Sequence, residues 1–326
     1  MDGAHFLYER KKNMIIKDLT IEMMEDAKIL LKENFEEARN NHAIIPDDTY
    51  IPSVETLFTN GLGSAAYENG KMLGFLSGFG PWGPVFCTKD TMGVYSPLHA
   101  HAAVKENRKR IYQKLCQAAA EKWARAGAAS HTITLYDPDD EAKEAFFDYG
   151  FGKRCVDLIR TTEQMDIAVP HVECAVLPNE NTREIRRLRR ALSDHLAQSP
   201  TFMKSADSAV EDWLDRREKD PPRVFIAKVD GEIVAYMEVQ EEGENFITAH
   251  PAMKNICGAY CLPDKRGQNI AAALLNFILK TLKSESVPLL GVDCESINPT
   301  AVNFWKKHFA PYTKSLVRRI DENAVG

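Results

Sequence analysis

The sequence predicts an α/β protein with mixed sheets, built as two halves on one plan, and three observations carry that reading. A short apolar run, Ile256 to Leu262, precedes apolar residues at helical spacing, Ala271, Leu274, Leu275, Ile278 and Leu282, so a strand feeds a helix through a tight loop. Two stretches, 64–78 and 223–240, set apolar runs around Glu68-Asn69-Gly70 and Asp230-Gly231, the residues of a tight hairpin turn. The chain also repeats itself. Asp139-Asp140-Glu141-Ala142 leads to Phe146, Phe151 and Leu158-Ile159-Arg160, while Asn298-Pro299-Thr300-Ala301 leads to Trp305, Phe309 and Leu316-Val317-Arg318. Alanine to aromatic is four residues in both copies, and the last phenylalanine to arginine is nine in both.

Taken in order, Met14 to Leu19 is strand-like and Glu22 to Asn40 helical, followed by the 64–78 hairpin. The stretch from Thr161 to Val172 is polar at first, then reaches Pro170 without apolar periodicity, and is the best linker. It divides the chain into 1–164 and 165–326. In the second half Thr182 to Ala197 is helical, and the 223–240 hairpin leads to the Ile256–Leu262 strand. Leu289 to Cys294 is a further strand, and Pro299 suits the first position of the helix that runs to Phe309.

Composition bounds the function. A chain of 326 residues with a net charge of −6 has ample material for buried cores, and neither half carries an excess of cations. No electrostatic footprint for nucleic acid is present. The seven cysteines (87, 116, 155, 174, 257, 261 and 294) are odd in number, scattered and without a C-x-x-C pair, as expected of reduced thiols. No signal-peptide pattern opens the sequence and no apolar stretch approaches ~18 residues, so the expectation is a soluble cytoplasmic protein without membrane contact.

The loop Pro263-Asp264-Lys265-Arg266-Gly267-Gln268-Asn269-Ile270-Ala271 carries the chemistry. Pro263 stops the strand, Arg266 brings a cation, and Gly267 lets the backbone approach a ligand with no side chain in the way. The first N–H groups of the following helix lack partners inside it, and with the helix dipole they suit a pyrophosphate. Asn269 tolerates positive φ better than most residues.

This run resembles motif A of the GNAT superfamily of acyl-CoA-dependent N-acetyltransferases, [Q/R]-x-x-G-x-[G/A] after a proline-ended strand. Arg266, Ala271 and Pro263 match, and Asn269 stands where the family has its middle glycine. Downstream, Asn298, Ala301, Phe304 and Phe309 match the spacing of motif B, with Trp305 in place of its tyrosine. The whole chain is therefore similar to a tandem GNAT. The resemblance implies that residues 165–326 form the acetyltransferase domain and 1–164 a degenerate one, because the corresponding stretch Val104 to Tyr112 has no glycine and three successive cations, Arg108, Lys109 and Arg110. It implies acetyl-CoA as co-substrate, contacted by Cys261, Arg266, Gly267, Gln268, Asn269, Ile270, Ala271, Asn298 and Trp305, and a small-molecule or peptide amine as acceptor.

Acyl transfer to an amine needs a base for the amine proton, donors at the carbonyl oxygen and an exit for the thiolate. The resemblance puts the oxyanion donor on the main chain near Cys261. Glu238, on the same strand face as Tyr236 and Val234, is the candidate base, because burial would raise its pKa into a useful range; Asp293 is placed similarly. The family tyrosine protonates the thiolate, which the Trp305 indole cannot do, leaving solvent or Tyr312. The rival expectation is an acyl-CoA-binding module without turnover, motivated by Asn269 and Trp305. His99-Ala100-His101 with Cys87 offers no third ligand, so no metal is expected. Cys257 and Cys261 sit four apart and are expected to share a face as small core residues. The arginines at 183, 186, 187, 189 and 190 read as a solvated helix with local ion pairs. The loop Gly78 to Pro84 is expected to cover a substrate groove or pack on the other half.

Overall fold

The computed structural model describes residues 14–168, 171–219 and 222–325. The first half runs β1 (Ile15–Asp18), α1 (Met24–Asn41), α2 (Glu55–Thr59), β2 (Ser64–Glu68), β3 (Lys71–Leu76), β4 (Phe79–Trp82), β5 (Gly93–Ser96), β6 (His101–Ala103), α3 (Arg108–Arg125), β7 (Ser130–Tyr136), α4 (Asp140–Phe147) and β8 (Gly152–Thr161). The second runs β9 (Glu173–Val176), α5 (Arg186–Ala197), α6 (Ala209–Lys219), β10 (Arg223–Val229), β11 (Glu232–Gln240), β12 (Met253–Cys261), α7 (Ile270–Ser284), β13 (Leu289–Glu295), α8 (Pro299–His308) and β14 (Ala310–Arg319). Both expected hairpins form, each with a left-handed pair at the turn: Asn69 and Gly70 at φ 50° and 80°, Asp230 and Gly231 at 51° and 81°. The helix expected from Thr182 begins at Arg186, because Asn179–Ile185 winds as a 3₁₀ segment. The expected linker includes residues 169 and 170, which lie outside the described residues.

The two halves share one sheet. Four strands pair as β1-β2-β3-β6, and ten pair as β4-β5-β7-β14-β8-β13-β12-β11-β10-β9. The last strand of the chain, β14, lies between β7 and β8 of the first half. The last strand of the first half, β8, lies in turn between β13 and β14 of the second. Strands from before and after residue 164 thus complete one sheet, and the hydrogen bonding does not break there.

Alternation along β11 sorts the second half into two layers. Ala235, Met237 and Val239 face α7 and α8, in a core with Leu274, Ile278, Trp305 and Phe309. Tyr236 faces α5 and α6, in a core with Leu188, Trp213 and Tyr260. No helix among the described residues is long and apolar enough to cross a membrane.

Two irregularities in β12 position the site. Its parallel pairing with β13 covers only Met253–Ile256 against Leu289–Val292, while its pairing with β11 continues to Cys261. Beyond Ile256 the two parallel strands diverge, so the β13-facing edge of Cys257–Cys261 is left unpaired. Between Gly258 and Ile256 the register with β11 slips at Cys257, a bulge.

Candidate active site

The loop after β12 turns through Pro263–Lys265 and arrives at α7 with Gly267 at φ +75° and Asn269 at φ 60°, ψ 8°. Both residues are left-handed, which explains their identity: glycine adopts that region without strain, and asparagine does so at least cost among the others. A Cβ on Gly267 would meet nothing within 4 Å, so the glycine faces open space. The first amide of α7 with a backbone acceptor is that of Ala273, bonded to Asn269 O at 2.8 Å. The amides of Ile270, Ala271 and Ala272 have no backbone acceptor among the described residues and sit at the positive end of the helix. Arg266 bends back, donating from Nε to Cys261 O at 3.0 Å with its guanidinium 5.3 Å from the Tyr260 ring. Gln268 donates to Asp264 O, and Asn269 lies beside Ala168 of the linker.

A cleft of about 350 Å³ starts at this loop and runs along the unpaired edge of β12. Cys261, Arg266, Gly267, Asn269, Ile270, Ala271, Asn298 and Trp305 all line it, so eight of the nine residues expected at a cofactor meet at one place; Gln268 is the exception. The charged lining is entirely basic, from Lys265, Arg266 and Lys307, with His195 and His308 and no carboxylate. Asn298 caps α8, its side chain accepting from the Ala301 amide at 3.4 Å, and His195 of α5 reaches to 3.4 Å from the same Oδ1. That contact spans the gap between the diverging strands. His195 was not singled out in the sequence, since a histidine at the end of an arginine-rich helix carries no motif. Trp305 is buried at 5% exposure and packs edge-on against Phe304 and Phe309.

The opposite face of the sheet is acidic. Glu238 is 1% exposed, and burial lifts its pKa above the ordinary carboxylate range against the nearby positive charge of Arg189, whose Nη1 is 3.7 Å away. Its Oε1 has no hydrogen-bond partner among the described residues and leans on the bulge, so closely that a Cβ on Gly258 would come within 2.7 Å of it. Cys257 Sγ lies 3.9 Å from Glu238 Oε2. The bulge thereby corrects one expectation: Cys257 faces Glu238, whereas Cys261 packs on the α7 side, so the two thiols do not share a face. Asp293 of β13 is paired in register with Asp157 of β8. Burial raises both, Asp157 to about 6 and Asp293 well above its ordinary value with help from Glu244 and Asp157. Tyr312 is 1% exposed on β14, its hydroxyl accepting from Asn245 Nδ2 at 3.0 Å, and does not line the cleft. Burial and the neighbouring Asp157 hold its phenol far above the usual range.

The first half repeats the backbone and fills the cleft. Asn107 caps α3 at φ 56°, ψ 30°, matching Asn269, and Asp139 caps α4 as Asn298 caps α8. Where the second half has Ile270, the first has Arg108. Its guanidinium is folded inward to Glu37 at 2.6 Å and Asp139 at 3.1 Å, with Nε on Val104 O. Lys105 stands in the place of Gly267, and the surrounding hollow is lined by Glu37, Asp139, Asp140 and Glu141.

The remaining candidates are structural. Arg183 and Arg186 pair with Glu211, Asp215 and Glu218 of α6. His101 bonds Tyr112 Oη and Thr134 O, and the described residues hold no group of three or more potential metal ligands. The Phe79–Trp82 segment forms β4 at the sheet edge against β5, and Phe86 beyond it lies over the Arg154 guanidinium at 5.1 Å.

Residues 189–310 match the family model for the acetyltransferase (GNAT) family. A GCN5-related N-acetyltransferase from Sphaerobacter thermophilus superposes with a TM-score of 0.55 at 15% identity, covering 94% of this chain and 95% of its own. A glucosamine N-acetyltransferase region in a fungal multi-domain GH3 β-N-acetylglucosaminidase superposes at 0.52 and 13% identity, covering 94% of this chain and 38% of that one. No curated protein matches by sequence.

Proposed function

We propose that this chain, whose residues 189–310 form a GNAT-family domain, transfers an acetyl group from acetyl-CoA to a primary amine of a small molecule or peptide, with the second half performing the chemistry and the first half supporting it. The supporting observation is the cleft itself. A lining whose charged residues are all basic, at the unpaired amide end of α7, continues directly into the opening between β12 and β13.

In this reading the amides from Gly267 to Ala271 hold the pyrophosphate, and the unpaired edge of Cys257–Cys261 gives main-chain partners to the pantetheine arm and a donor for the carbonyl oxygen. Acetyl-CoA supplies the thioester: the amine nitrogen bonds its carbonyl carbon, the C–S bond breaks with its electron pair going to sulfur, and a proton restores the thiol. Glu238 does not line the cleft, so the amine proton reaches it through water at the open edge of β12, its raised pKa bringing it nearer that of a useful base. Tyr312 is too enclosed to deliver a proton to the cleft, so water in the open cleft protonates the sulfur. Trp305 closes the apolar wall there.

A second reading, an acyl-CoA-binding module without turnover, draws on Trp305, which offers no acidic proton. The two separate in one experiment on the full chain: acetyl-CoA with a panel of primary amines, following free-thiol release beside calorimetric binding. Amine-dependent thiol release is expected. Tight acetyl-CoA binding with no release for any amine selects the module.

A further inference from the structure

We propose that the acceptor is a linear aliphatic polyamine, its reacting amine beside Glu238 and its second ammonium between Asp293 and Asp157. The inference rests on the transferase reading and adds to it the class of substrate. It starts from the transverse row that Glu238, Cys257, Asp293, Asp157 and Thr313 form across β11, β12, β13, β8 and β14 on the face opposite α7. An interior row of that kind is ordinarily apolar, as it is on the α7 side.

Two carboxylates of this row, Asp293 and Asp157, have no cationic partner among the described residues, whereas Glu238 has Arg189 Nη1 at 3.7 Å. Asp293 makes no side-chain hydrogen bond or ion pair among the described residues, and Asp157 meets only the neutral Thr313 and Asn245. Glu295 shares Arg154, at 3.0 Å, and Glu244 adds a further charge nearby. Glu238 Oε1, turned onto the bulge that separates it from Asp293, makes no hydrogen bond at 1% exposure and has the Arg189 guanidinium near it. Buried charge without a partner is expensive, and a site built to receive cations explains why the cost is tolerated. An entering ammonium restores ionisation to both lifted carboxylates.

The spacing selects an extended cation over a compact one. Paired strands lie ~4.8 Å apart, so the Asp293–Asp157 pair flanks one ammonium, and Glu238 stands more than two such spacings from Asp293 because β12 and β13 have diverged there. The described residues hold no metal-binding group, so the carboxylates do not converge on an ion. Cys257, Gly258, Asp293 and Glu295 are all partly exposed, which opens the middle of the row where β12 and β13 diverge, while Glu238 and Asp157 are buried to either side. Both halves build it, Asp157 coming from the first, and that contribution gives the degenerate half a role in acceptor choice.

The test uses the full chain with acetyl-CoA, comparing spermidine with butylamine, and Asp293→Asn with Asp293→Glu. Spermidine should exceed butylamine in kcat/KM by roughly 10–100-fold, as expected for a buried charge pair made or lost. Asp293→Asn should remove most of that preference through KM, and Asp293→Glu should retain it, with melting temperature and acetyl-CoA affinity recorded as folding controls. Equal kcat/KM for the two amines, or equal losses for both in Asp293→Asn, overturns the proposal while leaving the transferase reading in place. So does turnover of a lysine-bearing peptide with none of spermidine. Should no amine be turned over, spermidine calorimetry with CoA present decides: binding lost in Asp293→Asn supports the polyamine site and removes the transferase, and no binding overturns the proposal.

Discussion

The two clefts are one backbone with opposite charge. Asn107 and Asn269 occupy the same left-handed position before a helix, and Asp139 and Asn298 cap the next helix in the same way. In the second half the cap is neutral, the loop has a glycine, and the lining holds only cations and neutral groups. In the first half the cap is a carboxylate, a lysine replaces the glycine, and Arg108 swings into the hollow to pair with Glu37 and Asp139. The difference teaches that backbone conformation preserves the fold while a few side chains decide whether a helix end is available to an anion. Arg108 spends its charge internally, and its neighbours would repel a phosphate.

The largest expected effect breaks the comparison at the shared sheet. A fragment of residues 165–326 lacks β8, the strand that hydrogen-bonds both β13 and β14, and exposes two long edges. It should fail to give a cooperative melt by circular dichroism. A fragment that melts like the intact chain would mean that the exchanged strands are dispensable. Next, Gly267→Asp puts a side chain and a negative charge at the proposed pyrophosphate position, and should weaken acetyl-CoA binding by more than about 100-fold, with a left-handed strain cost of about 1 kcal/mol. Lys105→Asp at the matching site should leave affinity unchanged in the same titration.

Arg108→Ala leaves Glu37 and Asp139 facing each other around a lost cation at a site where Arg108 is 5% exposed, and should cost about 3 kcal/mol in a denaturant melt. Turnover per folded molecule should not change. A pH series sharpens the acidic face. Asp157 is raised to about 6, so the folded state binds its proton more tightly than the unfolded one. Its contribution to stability is present at low pH and declines as pH rises from about 4 to about 6, by up to roughly 3 kcal/mol. Asp157→Asn should flatten that slope in thermal melts, and an unchanged slope would contradict the assignment. The smallest effect is Trp305→Phe, expected to cost ~1–3 kcal/mol of stability through its cavity and little kcat per folded enzyme. A large pH-dependent loss of kcat with unchanged melting would give the indole a part in the reaction.

Local chemistry made much of this legible in the sequence. The turn residues Asn69-Gly70 and Asp230-Gly231 fixed both hairpins, and Pro263, Gly267 and Pro299 marked the loop and the helix that converge on the cleft. The residues expected there meet because the spacing of a strand, loop and helix constrains them locally. Long-range features were hidden. No periodicity tells that β14 inserts beside β7, since pairing partners leave no mark on a single strand. The bulge at Cys257 reversed the face expected for that thiol, because one extra residue shifts the alternation without changing composition. Tyr312 follows Trp305 by seven residues yet lies on β14 rather than α8, and the row of Asp157 and Asp293 joins residues from both halves that only the shared sheet brings together.

The claim that one cleft per chain accepts acetyl-CoA is tested most directly by calorimetric stoichiometry on the intact protein. One molecule per chain is predicted for the parent, none detectable for Gly267→Asp, and one for Lys105→Asp. Two molecules per chain in the parent, or a full site remaining in Gly267→Asp, would contradict the account.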